Sequence, residues 1–121
     1  MENPVLIIEG IIALRGWCKL NLPTEDSLVA YDIILIVAIS HYTKIPLPVK
    51  SLFSSTTHSY TALRHHYNRF IDDGWIKHEL SEKDKRIKLV APTHKLVNTI
   101  NAYVNTADTI FFAPKASQQE M

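Results

Sequence analysis

The sequence predicts a mainly α-helical domain carrying one small β-hairpin, and three features lead to that class. Apolar residues recur at helical spacing through most of the 121 residues. Between residues 76 and 91 the period changes from helical to two. The junction between the two regimes is Asp72-Asp73-Gly74, a helix-stop signal whose glycine tolerates positive φ.

Taken in order, residues 4–19 read as a first helix, apolar nearly all round (Val5, Leu6, Ile7, Ile8, Ile11, Ile12, Leu14, Trp17) and weakened by Gly10 and Gly16. Pro23 closes it. Thr24, followed by Glu25 and Asp26, has the form of an N-cap with acids in the first turn, so a second helix is expected to start there. Its middle, residues 33–39, is apolar on every face, which predicts a central buried helix. Pro46 and Pro48 break the chain, and Pro48 suits the first turn of a short third helix over 48–54 with Val49, Leu52 and Phe53 inward.

The Ser-Ser-Thr-Thr run at 54–57 offers caps for a fourth helix over about 57–73. Leu63, Tyr67 and Phe70 lie at i, i+4 and i+7 and mark its buried face. Thr61, Arg64, His65 and Asn68 fall on a different, polar face. Trp75 and Ile76 are expected to re-enter the core. Strands are expected near 75–80 and 86–91, with Ile76, His78 and Leu80 alternating on one and Ile87, Leu89 and Ala91 on the other. The tip between them is Ser-Glu-Lys-Asp-Lys-Arg, in which an Asp84–Arg86 salt bridge would aim the guanidinium. Pro92 ends the second strand and Thr93 caps a last helix. That helix carries a seam of Leu96, Ile100, Tyr103, Ala107 and Ile110, which wants a partner: the first helix of the same chain or the equivalent helix of a second copy.

Helix, Gly turn and charged hairpin in this order are the signature of a winged helix-turn-helix, here flanked by N- and C-terminal helices. Length predicts one domain over 1–121: an N-terminal helix (1–22), a DNA-binding core (24–92), a C-terminal helix (93–112) and a polar tail (113–121). The composition, 46% hydrophobic and 21% charged, is that of a globular protein. The net charge of +1 hides an asymmetry: residues 44–95 hold ten basic groups against five acidic ones, while residues 1–43 hold two against five. Positive charge is thus concentrated where phosphates would be met.

Residue types fit the same reading. Arginine pairs with guanine, asparagine with adenine, and threonine with either. The residues expected to face DNA are Ser59, Tyr60, Thr61, Arg64, His65, Asn68 and Arg69 on or beside the helix, and Lys83, Lys85, Arg86 and Lys88 on the hairpin. The expected partners are double-stranded DNA and, through the terminal helices, a second copy of the chain. A small-molecule effector is left open.

Other chemistries find little support. A single cysteine, Cys18 between Trp17 and Leu20, excludes an intramolecular disulfide and fits a buried thiol. The six histidines have no zinc-site spacing, with His65 and His66 adjacent and His58 seven residues before His65, so no metal or other cofactor is expected. His66 is expected at the boundary of core and surface. No phosphate loop, nucleophile elbow or paired carboxylates point to an enzyme. No signal peptide or membrane span is expected, and a cytoplasmic, nucleoid-associated location follows. The rival reading is a winged helix used as a protein-interaction module, which would dispense with the basic face.

From Leu47 to Tyr103, about half the chain, the sequence resembles the MarR family of winged-helix regulators. The matching positions are Phe70, Asp73, Gly74 and Ile76, then Asp84 and Arg86 as Asp-x-Arg, then Thr93. The resemblance implies a bacterial-type transcriptional regulator. It further implies that Thr61, Arg64 and His65 read the major groove and that Arg86 enters or borders the minor groove. The chain departs from the family pattern at Pro92, Leu96 and the bulky Tyr60, and its N-terminal region is short.

Overall fold

A computed structural model describes residues 3–112, which lie in two compact units, one within Met1–Pro23 and Thr99–Met121 and the other Thr24–Asn98. The expected polar tail lies outside the described residues. The elements run α1 (Pro4–Asn21), α2 (Leu28–Thr43), β1 (Leu47–Pro48), α3 (Val49–Ser54), α4 (Tyr60–Asp72), β2 (Ile76–Leu80), β3 (Lys88–Pro92) and α5 (His94–Phe112). The mainly helical class with a small wing is therefore as expected.

In the first unit α1 begins at an Asn3 cap whose side chain accepts from the Val5 N–H. Gly10 permits close helix packing: a Cβ there would come within 2.8 Å of Ile110 Cγ2 and 2.9 Å of Phe111 Cε1. Trp17 meets Tyr103 with ring centroids 6.0 Å apart. The C-terminal half of α5 thus packs on α1 of the same chain, one of the two partners its seam allowed. Cys18 is buried, and burial pushes its thiol pKa up. Much of α1 stays exposed, including Val5, Leu6, Ile8, Ile12 and Leu20.

The second unit contains the wing. Its α2 starts later than the sequence suggested. Ser27, in extended backbone, accepts the Ala30 N–H and is the true cap. Thr24 is buried instead, with its carbonyl closing a turn onto the Ser27 N–H at 2.8 Å. Glu25 and Asp26 have φ of 49° and 62°, so the acids form a left-handed turn outside the helix. Ala30, Ile33, Ile34 and Val37 are core, but Leu28, Ile39 and Tyr42 are exposed, so α2 is buried on one side only.

The sheet has three strands in the order β1-β3-β2, all antiparallel, where the sequence suggested two. Leu47 and Pro48 pair with Val90 and Leu89. Pro48 then caps α3 rather than entering its first turn; its fixed φ suits both an edge strand and a helix start. In β2 and β3 the register sets Ile76 opposite Pro92 and His78 opposite Val90. Val90 is the buried residue of β3, whereas Ile87 is exposed and Leu89 and Ala91 only partly covered. The inward face of β3 is thus one residue out of phase with the expected one, with Val90 rather than Leu89 turned to the core. Leu80 is exposed as well.

Candidate nucleic-acid interface

Helix α4 is amphipathic by construction. Leu63, Tyr67 and Phe70 are buried, while Thr61, Arg64, His65 and Asn68 are exposed on the far side. It starts at Ser59, whose hydroxyl accepts the Ala62 N–H at 3.2 Å. Ser59, expected to face DNA, is thus a helix cap as well. The preceding turn is held to α2 by His58, whose Nε2 lies 2.7 Å from the Asp32 carboxylate.

The far end of α4 closes in a Schellman motif. The Trp75 N–H donates to the Phe70 carbonyl at 2.9 Å and the Gly74 N–H to that of Ile71 at 3.2 Å. Gly74 has φ of +76°, a conformation that a side chain would oppose. Thr93 reaches back to this turn: its Oγ1 donates to the Gly74 carbonyl at 2.7 Å, and its N–H to the Trp75 carbonyl at 3.0 Å. The same Oγ1 accepts from the Leu96 N–H at 3.4 Å, in keeping with the expected cap. Ile76 enters the core, but Trp75 is only partly covered, with Lys95 Nζ 4.0 Å from its ring centroid.

Two histidines tie α4 to its surroundings. Burial pushes the Tyr67 hydroxyl pKa up to about 12, so it keeps its proton, and its oxygen hydrogen-bonds with His78 Nε2 at 2.6 Å. The His78 pKa is lowered by burial and then by Lys88. Arg69 Nη2 lies 3.4 Å from His66 Nδ1, and a guanidinium can only donate, so the His66 proton sits on Nε2 and faces Ser27 Oγ at 3.1 Å. Burial lowers the His66 pKa, reinforced by Arg69 and His65 and opposed by Glu25. His66 is the half-buried boundary residue that was expected.

Arg69, expected to face DNA, is half-buried and paired with Glu25 at 2.6 Å. That carboxylate belongs to the turn before α2, and no local pattern announces the contact. Arg69 thus joins α4 to its own unit and stands apart from the exposed Thr61, Arg64, His65 and Asn68.

At the wing tip the Asp84–Arg86 pair forms as expected. Asp84 Oδ1 accepts the Arg86 backbone N–H, an Asx-turn, and Arg86 Nε and Nη2 reach its two oxygens, each contact at 3.0 Å. The guanidinium holds the Asp84 pKa below its ordinary value, and Asp84 raises that of Arg86. The Arg86 side chain nonetheless remains 90% exposed, so the carboxylate steers it without covering it. Lys83, Lys85 and Lys88 are exposed beside it. Among the described residues no cluster of three or more His, Cys, Asp and Glu is placed to hold a metal ion, and no helix is long and apolar enough to cross a membrane.

This arrangement defines a winged helix-turn-helix protein. No family model matches the sequence, and no curated protein matches it. Solved structures do match the fold. Transcriptional regulator Tm0710 from Thermotoga maritima has a TM-score of 0.59 at 16% identity, over 95% of this chain and 78% of its own. AbsC, a MarR family transcriptional regulator from Streptomyces coelicolor, has 0.52 at 19%, over 93% and 80%. A MarR-like transcription regulator from Bacillus cereus has 0.53 at 18%, over 86% and 76%. The chain therefore has the winged-helix fold of MarR-type transcriptional regulators; these neighbours are regulators, not enzymes.

The histidine environments predict an acid-sensitive fold. Both folded-state pKa values lie below the ordinary 6.5, so beneath that pH the unfolded chain binds protons that the folded chain does not. Their contribution is complete above 6.5 and is lost as pH falls toward the folded values. Urea unfolding should show lower stability at about pH 5.5 than at about pH 7.5, with a smaller difference in His66→Gln/His78→Gln. An equal difference in that variant would assign the acid sensitivity to other groups.

Proposed function

We propose that the protein binds duplex DNA sequence-specifically as a transcriptional regulator, with α4 in the major groove and the wing on the adjacent backbone or minor groove. One observation carries this reading. A single unit presents an exposed Thr61, Arg64, His65 and Asn68 face together with a wing tip whose Arg86 is aimed by Asp84. Arg64 and Asn68 read bases, Thr61 and His65 flank them, and Arg86 anchors the wing. Lys83, Lys85 and Lys88 supply charge for phosphates. The fold shared with MarR-type regulators supports the same reading.

We infer that the acting species is a homodimer joined through the terminal helices, which would set two recognition helices on successive major grooves. Val5, Leu6, Ile8, Ile12 and Phe112 are all more than half exposed, an apolar area large for a lone small domain. Sedimentation equilibrium at micromolar concentration should return twice the chain mass; a single monomeric species would refute the dimer.

The two arginines separate base reading from anchoring. Against a duplex selected from a random pool, Arg64→Ala should cost about 1–3 kcal/mol and relax preference at one position. Arg86→Ala should weaken selected and scrambled duplexes alike and lower the salt slope by about one unit. Unchanged binding in both variants would leave the protein-interaction reading in its place.

A further inference from the structure

We propose that Tyr60 is a positioning residue for Arg64, holding its guanidinium in the orientation that reads a guanine and so setting sequence preference without itself touching a base. The proposal rests on the DNA-binding reading above.

Tyr60 is 61% exposed, so core packing does not account for a large aromatic at the first position of α4. It stands one turn before Arg64, and its hydroxyl oxygen accepts a hydrogen bond from Arg64 Nη1 at 3.1 Å. Between two freely moving surface side chains such a bond would order little. Tyr60 is braced, however. Its ring meets Phe53 of α3 with centroids 5.3 Å apart, and Phe53 meets Tyr67 edge-on at the same distance. Tyr67 is only 4% exposed and is hydrogen-bonded to His78. A rigid ladder thus runs from the core through Tyr67, Phe53 and Tyr60 to the exposed guanidinium.

The chemistry of arginine gives that ladder a consequence. An exposed arginine is rich in rotamers, and each must be given up on binding, which favours a side chain already ordered. The guanidinium carries five N–H donors in a plane, and a guanine takes two parallel ones at O6 and N7. The bond to Tyr60 engages Nη1 and leaves the Nε and Nη2 edge free for that bidentate contact. Tyr60 thereby selects which edge is presented. A phosphate would gain far less from the same restraint, because it accepts an arginine from many directions and carries no sequence information.

Tyr60→Phe keeps the ring against Phe53 and removes only the hydroxyl. With a duplex selected from a random pool, this variant should bind about 3- to 10-fold more weakly, while scrambled duplex and thermal stability stay unchanged. In an Arg64→Ala background, Tyr60→Phe should have no further effect. In the free protein, rotation about the Arg64 Cζ–Nη1 bond, read by nitrogen NMR, should be slowed in the parent and fast in Tyr60→Phe. Wild-type affinity in Tyr60→Phe, with Arg64→Ala still impaired, would overturn the positioning role and leave base reading intact. An equal loss in both backgrounds would make Tyr60 a direct DNA contact and also overturn it. If Arg64→Ala itself changes nothing, base reading fails and the proposal with it; the NMR measurement then reports whether the hydrogen bond orders Arg64 at all.

Discussion

The position of every side chain on the exposed face of α4 depends on how that helix ends. At Gly74 the chain turns through a left-handed conformation, and Thr93, 19 residues later, fastens the turn by donating to the Gly74 and Trp75 carbonyls. Four element ends meet there: the last turn of α4, the first residue of β2, the last of β3 and the start of α5. A net contribution of about 1 kcal/mol per hydrogen bond is modest. Their geometric effect is larger, because they set the direction in which the wing leaves the helix. Lys95, which donates to the Asp73 carbonyl and lies over Trp75, covers the same turn from α5.

With that end fixed, the two sides of α4 divide the work. Leu63, Tyr67 and Phe70 remove apolar area from water and face the core that includes Ile33 and Val37 of α2. Along the flanks, polar ties resist rotation of the helix about its axis: His66 to Ser27, Arg69 to Glu25, and His58 to Asp32 in the turn before it. Any rotation that exposed Arg69 would break its ion pair and turn Arg64 and Asn68 away from the outer face. The wing is stiffened differently, by an Asx-turn and a bidentate ion pair within three residues of one another. Local bonds suffice there because the tip protrudes and has little else to lean on.

Legibility in the sequence followed the range of the interaction. The amphipathic face of α4, the Gly74 stop and the Asp84–Arg86 pair depend on neighbours within one helical turn or one hairpin tip, and all three could be read from spacing. The seam of α5 was also legible, since Leu96 and Ile100 are buried and Tyr103 meets Trp17, but which helix would cover it was not. The two residues of β1 gave no periodicity to detect between Pro46 and the short α3. The inward residue of β3 is Val90, one position from the expected Leu89, because the apolar alternation there is compatible with either face and the packing beneath the sheet selects one. Thr24 was the cap the local pattern suggested, and the left-handed turn at Glu25 and Asp26 moves the helix start to Ser27. The removal of Arg69 from the exposed set likewise came from Glu25, 44 positions away in the chain.

The central claim is that one continuous surface, the outer face of α4 together with the wing tip, meets duplex DNA. Amide hydrogen exchange of the full chain, with and without a duplex selected from a random pool, tests it most directly. The account predicts new protection in two stretches, residues 60–68 and 83–88, with the exposed face of α2 around Leu28 and Ile39 unchanged. Protection on α2 with none on α4 or the wing would contradict it.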